Sequence, residues 1–200
     1  DELHLADKRL SFLRFNGDLA VMSALLVIAG GLMTGITIGL FALIGLRIEE
    51  FYFEYIVAFG LPAVPIVASY LTQNNPQLVN KVSPVIARIF SPLVLVMLVI
   101  YLGAIIYSGK DPYNDREFLM LFNVLLIGVM ALIFFSVAES TNRSGALSAV
   151  WVLLLLSIVT VVVNGIALSA ISFRISEWGI TPNRVAVMGG NVLMLVHLLI

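Results

Sequence analysis

The chain has 200 residues, of which 60% are hydrophobic and only 12% are charged, and its mean hydropathy is +1.07. An ordinary soluble domain carries about 25% charged residues, so this composition excludes a soluble globular domain and predicts a protein that lies in lipid. The net charge of −1 gives no reason to expect a nucleic-acid partner, which would call for a basic surface. The absence of cysteine excludes disulfide bonds and thiolate metal sites.

Residues 1–18 differ from the rest of the chain because they mix charged and apolar side chains. The apolar ones recur at helical spacing, at Leu3, Ala6, Leu10 and Leu13. This pattern predicts an amphipathic helix that lies on the membrane surface, either as a docking surface for a partner or as a simple lead-in to the first span. Residues 19–200 then form the transmembrane domain, and we expect the chain to belong to a longer protein.

Long apolar segments make up most of the remaining sequence, and a helix needs about 20 mostly apolar residues to cross the hydrocarbon layer. The segments do not alternate between polar and apolar residues, as barrel strands would. We therefore predict an all-α, polytopic transmembrane helix bundle of about six spans, with no sheet. The predicted spans are roughly 19–46, 53–72, 85–107, 118–138, 146–172 and 182–200. Lysine and arginine are slightly denser on the N-terminal side, which favours a cytoplasmic N-terminus.

Three glycines of the first span, Gly31, Gly35 and Gly39, lie four residues apart and therefore share one face of the helix. Small residues let helix backbones approach closely in lipid, where no hydrophobic effect draws helices together. We predict that this face packs against another helix of the same chain. The alternative is that it forms the seam of a homodimer.

The loop "SGKDPYNDREF" contains three acidic residues, Asp111, Asp115 and Glu117. Clustered oxygen ligands suit Ca²⁺, but their spacing is not that of an EF-hand loop. A capping box, in which Asn114 and Glu117 bond to each other's backbone N–H groups, explains the same residues. We therefore predict no metal site, and the sequence indicates no cofactor.

Four polar residues within the spans are candidates for an intramembrane site: Glu54, Asn123, Asn164 and Asn191. Burying such groups in lipid is expensive, so each raises a functional hypothesis. Glu54 is interpreted as a carboxylate in the headgroup layer. Asn164 and Asn191 lie at similar depths below the same turn, so we expect them to meet, either to hold two helices together or as part of a substrate site.

The segment from residue 174 to residue 184, which we call the corner, contains "SEWGITPNR" and joins the last two spans. Gly179 suits the left-handed position that ends a helix. Thr181 is typical of a helix N-cap, and Pro182 of the first helical position. The corner is therefore predicted to consist of a helix stop, a short link and a helix start.

Charged and aromatic side chains of the corner suggest further contacts. Arg174 and Trp178 lie four residues apart, which permits a cation–π contact. Arg184 is not explained by capping, because a cation at a helix N-terminus is unfavourable. We predict that it pairs with Glu177 or with the carbonyl end of the preceding helix. Such a bond would make the corner a rigid structural clasp, and a ligand-binding role is the alternative.

The stretch "FRISEWGITPNRVAVMGGNVLML" resembles the R-I-x-x-[aromatic]-G-[Leu/Ile]-T-x-x-R signature of a bacterial integral membrane family, catalogued as domain of unknown function number forty-one fifty-three. A tryptophan stands where the family more often has tyrosine. The resemblance implies a bacterial inner-membrane protein with additional N-terminal spans, and it implies no activity and no catalytic or binding residues. The matching residues are Arg174, Ile175, Trp178, Gly179, Ile180, Thr181 and Arg184.

No H-E-x-x-H, phosphate-binding loop or G-x-S-x-G pattern occurs in the sequence, and we predict that the chain is not an enzyme. The function we expect is that of a non-catalytic inner-membrane component: a scaffold, accessory subunit or partner-binding module that contacts a protein partner or a second copy. The first alternative is a small-solute transporter or channel. Pro62 and Pro65, which tend to kink the second span, favour it. A membrane sensor is the second alternative.

Overall fold

Helices account for all the regular structure in the computed structural model, which describes residues 2–74, 82–109, 116–140 and 147–200. A π-helical segment, Tyr52–Val57, connects α2 to α3. No strand occurs within these ranges, so the predicted all-α bundle is confirmed. The helices are α1 (Glu2–Leu43), α2 (Glu49–Phe51), α3 (Ala58–Asn74), α4 (Val82–Ser108), α5 (Arg116–Ser140), α6 (Leu147–Trp178) and α7 (Pro182–Leu199).

In the described part of the chain, five helical segments are long and apolar enough to cross a membrane, which makes this a multi-pass membrane protein by length and composition. They correspond to the first five predicted spans. Their long apolar runs leave few charged side chains that would have to enter the hydrocarbon layer. The five segments are Asp7–Leu43, Glu49–Asn74, Ile86–Ser108, Glu117–Ala138 and Ala149–Trp178.

The sixth predicted span, α7, is a helix but is not among these five. It has 18 residues, which gives a length of about 27 Å against a hydrocarbon layer of about 30 Å. Its polar side chains lower its average apolarity: Asn183, Arg184, Asn191 and His197. That α7 crosses the membrane therefore stays a prediction.

α1 does not break where the surface helix was expected to end. It runs from Glu2 to Leu43 as one helix of 42 residues. Ser11 and Asn16 each donate a hydrogen bond to the carbonyl four residues earlier, at 2.9 and 2.8 Å, so neither side chain caps a new helix. From residue 2 to residue 18 the expected helix is therefore present, and it continues without a break into the first apolar segment. That its first part lies on the membrane surface stays a prediction.

The core lies where α4, α5 and α6 pack against one another and against the C-terminal half of α1. Tyr101 of α4 and Phe122 of α5 are among its largest fully buried side chains. The Tyr101 ring meets Phe41 of α1 edge-on at 5.4 Å between centroids, and Phe122 stacks on Phe118 at 4.2 Å. Aromatic pairs at these distances stabilise the packing beyond their buried area. The Phe41–Tyr101 pair joins α1 to α4, and Tyr101 also lies 5.9 Å from the ring of Phe122, which joins α4 to α5.

α7 packs at the edge of the bundle, against α6 and α5. Residues along its inward side recur at alternating spacings of three and four: Arg184, Val187, Asn191, Met194 and Leu198. This is the spacing of a coiled-coil seam. Asn191 is the only residue of α7 that is fully buried. A single polar residue at a core position of such a seam fixes the register of the two helices.

Candidate functional site

The hairpin between α6 and α7 has the turn chemistry that was predicted for the corner. α6 ends at Trp178, and Gly179 follows with a φ of 77°, which residues with a side chain rarely adopt. Thr181 is extended, and its hydroxyl accepts a hydrogen bond from the backbone N–H of Arg184. Pro182 takes the first helical position, where no N–H is required. The helix stop, link and helix start are confirmed.

The guanidinium of Arg184 joins the end of α6 to the start of α7. Its Nη1 donates to the carbonyl of Trp178 at 2.8 Å and to that of Gly179 at 2.6 Å. Carbonyls at a helix C-terminus lack partners within the helix and carry the negative end of its dipole. Among the described contacts of Arg184 there is no ion pair with Glu177. Of its two predicted partners, Arg184 therefore bonds to the carbonyl end of α6.

Trp178 contacts two guanidinium groups. The Cζ atoms of Arg174 and Arg184 lie 5.3 and 5.8 Å from the centroid of the indole ring, within the range of about 6 Å for cation–π contacts. The contact with Arg174 was predicted from the four-residue spacing and is confirmed. The contact with Arg184 depends on the path of the turn and was not predicted. The indole is half exposed, as is typical of tryptophan at a membrane interface.

Asn164 of α6 and Asn191 of α7 meet across the hairpin, as predicted. Nδ2 of Asn164 donates to the backbone carbonyl of Asn191 at 3.1 Å, and both side chains are fully buried. The pair lies about 15–20 Å along the helices from the corner, well inside the apolar part of both. The contact therefore joins two helices by a polar bond in an apolar surrounding.

The other two candidates for an intramembrane polar site do not join this pair. Asn123 of α5 is half-buried, and Glu54 is exposed. Glu54 lies near the start of its membrane segment, Glu49–Asn74. A carboxylate within two turns of the end of a span can reach the headgroup layer. The position of Glu54 thus agrees with the headgroup interpretation.

The glycine row of α1 is divided between two environments. A Cβ added at Gly39 would lie 3.1 Å from Cδ1 of Leu121 on α5, so this glycine permits a close approach. Among the described residues, no atom lies within 4 Å of a Cβ added at Gly31 or Gly35. The predicted packing within the chain is confirmed for Gly39 and is wrong for Gly31 and Gly35. The small residues follow one stripe of the helix, but α5 covers only the end of that stripe.

The π-helical segment Tyr52–Val57 was not predicted from the sequence. Its bonding pattern continues to the end of the segment, where the N–H of Ala58 bonds to the carbonyl of Phe53, five residues earlier. Its surface is aromatic, and the rings of Phe51 and Tyr55 lie 5.0 Å apart. A π segment leaves the pattern of hydropathy unchanged, so hydropathy alone could not reveal it.

Within the described residues, no group of three or more histidine, aspartate or glutamate side chains is placed to hold a metal ion. Asp111, Asn114 and Asp115 of the predicted acidic loop lie outside those residues. The chain matches no protein-family model, no curated protein and no solved structure. The resemblance of the corner to a bacterial family of unknown function stays a prediction.

The Thr181 hydroxyl should contribute to the start of α7 and to little else. We expect Thr181→Ala to lower the free energy of unfolding by about 1 kcal/mol, the usual cost of losing an N-cap. Thr181→Ser keeps the hydroxyl oxygen and should remain close to the wild type. Thermal unfolding in detergent, followed by circular dichroism, measures the difference. Equal losses in the two variants would show that the methyl group contributes and the cap does not.

Proposed function

We propose that this chain is a non-catalytic component of a bacterial cytoplasmic membrane, where it binds a helix of a partner through α1. The partner is another membrane protein or a second copy of the chain. The observation that carries the proposal is the open space beside Gly31 and Gly35. These glycines belong to an outward surface of α1 that we call the glycine face, formed by Ala24, Ile28, Gly31, Leu32 and Gly35.

The physics of helix association in lipid supports a protein partner on the glycine face. Lipid chains are as apolar as leucine, so helices associate through close packing and not through the hydrophobic effect. Glycine is about 1 kcal/mol less favourable than alanine inside a helix. Gly39 offsets that cost through its close contact with Leu121, whereas Gly31 and Gly35 have no such contact within the described chain. A partner helix packed on the glycine face would supply that close contact.

Site-directed photo-crosslinking tests the proposal, because the chain has no native cysteine. A benzophenone attached to Gly35→Cys in native membranes should give a discrete cross-linked product. Gly60→Cys is the matched control, since Gly60 is equally open but lies on α3. Mass spectrometry of the product identifies the partner as another protein or a second copy. Equal cross-linking from both positions would indicate random collision and would contradict the proposal.

A second candidate, transport of a small neutral solute, is supported by the buried amides of Asn164 and Asn191. Pro62 and Pro65 also lie inside α3, where each removes a backbone N–H from the hydrogen bonding of the helix. Swelling of proteoliposomes in a series of uncharged solutes tests this candidate. A rate above that of protein-free liposomes, reduced by Asn191→Leu, is the expected result, and identical rates in both preparations would exclude it for those solutes.

A further inference from the structure

The buried side of α7 carries an amide for which the described protein provides no partner. Neither Nδ2 nor Oδ1 of Asn191 forms a hydrogen bond with any described residue, although both atoms are buried. Across the seam, Oδ1 of Asn164 is also buried and unbonded, while its Nδ2 bonds to the carbonyl of Asn191. Buried polar groups in proteins almost always have a hydrogen-bond partner. Three such atoms on one contacting pair therefore point to a ligand.

We propose that an ordered water molecule lies in the seam between α6 and α7 and bridges the side-chain amides of Asn164 and Asn191. The unbonded atoms include two acceptors, the Oδ1 atoms, and one donor group, Nδ2 of Asn191. A cation would suit the oxygens but not the N–H groups, and an anion would have the opposite mismatch. Water both donates and accepts, and buried waters typically make about three bonds to groups of this kind.

The surroundings also call for a neutral ligand. The sequence has no ionisable side chain between Leu147 and Phe173 of α6, nor between Val185 and Val196 of α7. α5, which packs against both helices, has none between Phe118 and Ala138. An ion at this depth would have no counter-charge in an apolar medium, which is strongly unfavourable. A neutral molecule avoids that cost.

One further acceptor lies on the same helix. Thr160, one turn before Asn164, is fully buried and donates its hydroxyl proton to the carbonyl of Leu156 at 2.6 Å. Its oxygen keeps lone pairs that can accept. The competing arrangement is a dry one, in which the two side-chain amides rotate and bond directly to each other. The two arrangements differ in whether the Asn191 amide is in contact with water.

Water-edited solid-state NMR on the protein in lipid bilayers, with asparagine and alanine labelled by ¹⁵N, distinguishes the two arrangements. We expect the Asn191 side-chain amide to receive magnetisation from water at short mixing times, as the exposed Asn183 amide at the corner does. The backbone N–H of Ala167, fully buried in α6, serves as the dry reference. Transfer to Asn191 as slow as that to Ala167 would overturn the proposal, as would a direct contact between the two side-chain amides.

Variants assign the signal and provide a second test. Asn191→Leu should remove the water-polarised resonance and leave that of Asn183 unchanged. If this variant does not fold, Asn191→Ala serves the same assignment, because its small side chain avoids overpacking. If the water-polarised resonance attributed to Asn191 persists in either folded variant, it belongs to another asparagine, and the placement of the water at Asn191 is contradicted.

Discussion

Replacing Gly39 by leucine should destabilise the protein strongly, whereas the same change at Gly35 should leave the folded chain nearly as stable as the wild type. At Gly39 a first side-chain carbon would already lie 3.1 Å from Leu121, and Leu40 and Phe41 beside it are buried in the core. Overpacking of this kind costs about 1–3 kcal/mol, and a full leucine belongs at the upper end. At Gly35 the added side chain would enter open space.

Thermal unfolding of both variants in the same detergent, as monomers, measures the contrast. Gly39→Ala is a graded control, since its single carbon should cost less than leucine. Similar losses at Gly35 and Gly39 would contradict the described position of α1 against α5. Because Gly35→Leu should fold, it also bears on the proposed function: we expect it to reduce photo-crosslinking in native membranes from a benzophenone at Gly31→Cys without loss of protein.

Replacing Arg184 by glutamine should loosen the hairpin between α6 and α7. The change removes the charge-assisted bonds from Nη1 to the carbonyls of Trp178 and Gly179. Both bonds are exposed to solvent, so their loss should lower the free energy of unfolding by about 1 kcal/mol. Arg184→Lys should recover only part of it, because the ammonium sits on a shorter side chain and lacks the flat guanidinium face that lies against Trp178.

Glu177→Gln provides the matched control for the clasp. Because Glu177 is not bonded to Arg184 among the described contacts, this variant should be close to the wild type. In a double-mutant cycle the two losses should add, since residues without a shared contact do not couple. A coupling energy above about 0.5 kcal/mol would show that Glu177 does pair with Arg184 in the membrane. Chemical unfolding in mixed micelles gives the four free energies that the cycle needs.

The corner was predictable because its chemistry is local. Gly179, Thr181 and Pro182 each favour one backbone conformation, whatever lies around them. The contact between Asn164 and Asn191 was predictable for a related reason: a short turn fixes two helices side by side, and the rise per residue then sets which positions lie level. In both cases the information is contained in a few neighbouring residues and one regular geometry.

Features that depend on how the helices are arranged were harder to predict from the sequence. A sequence shows that Gly31, Gly35 and Gly39 share a face, but it does not show how far α5 extends along that face. The unbroken course of α1 was missed because amphipathic spacing occurs both in helices that lie on a membrane and in helices that leave it. The π segment at Tyr52–Val57 changes the backbone bonding and not the order of polar and apolar residues.

The unbroken course of α1 determines how far its N-terminal end lies from the bilayer. Its 42 residues span about 63 Å at the α-helical rise, twice the hydrocarbon thickness of about 30 Å. Fitting that length inside the layer would require a tilt of about 60°, beyond the usual limit of about 40°. The end that carries Asp7, Lys8, Arg9 and Arg14 therefore projects beyond the hydrocarbon layer, joined to the span by continuous helix. A ligand bound to that end would be held at a fixed height above the lipid surface.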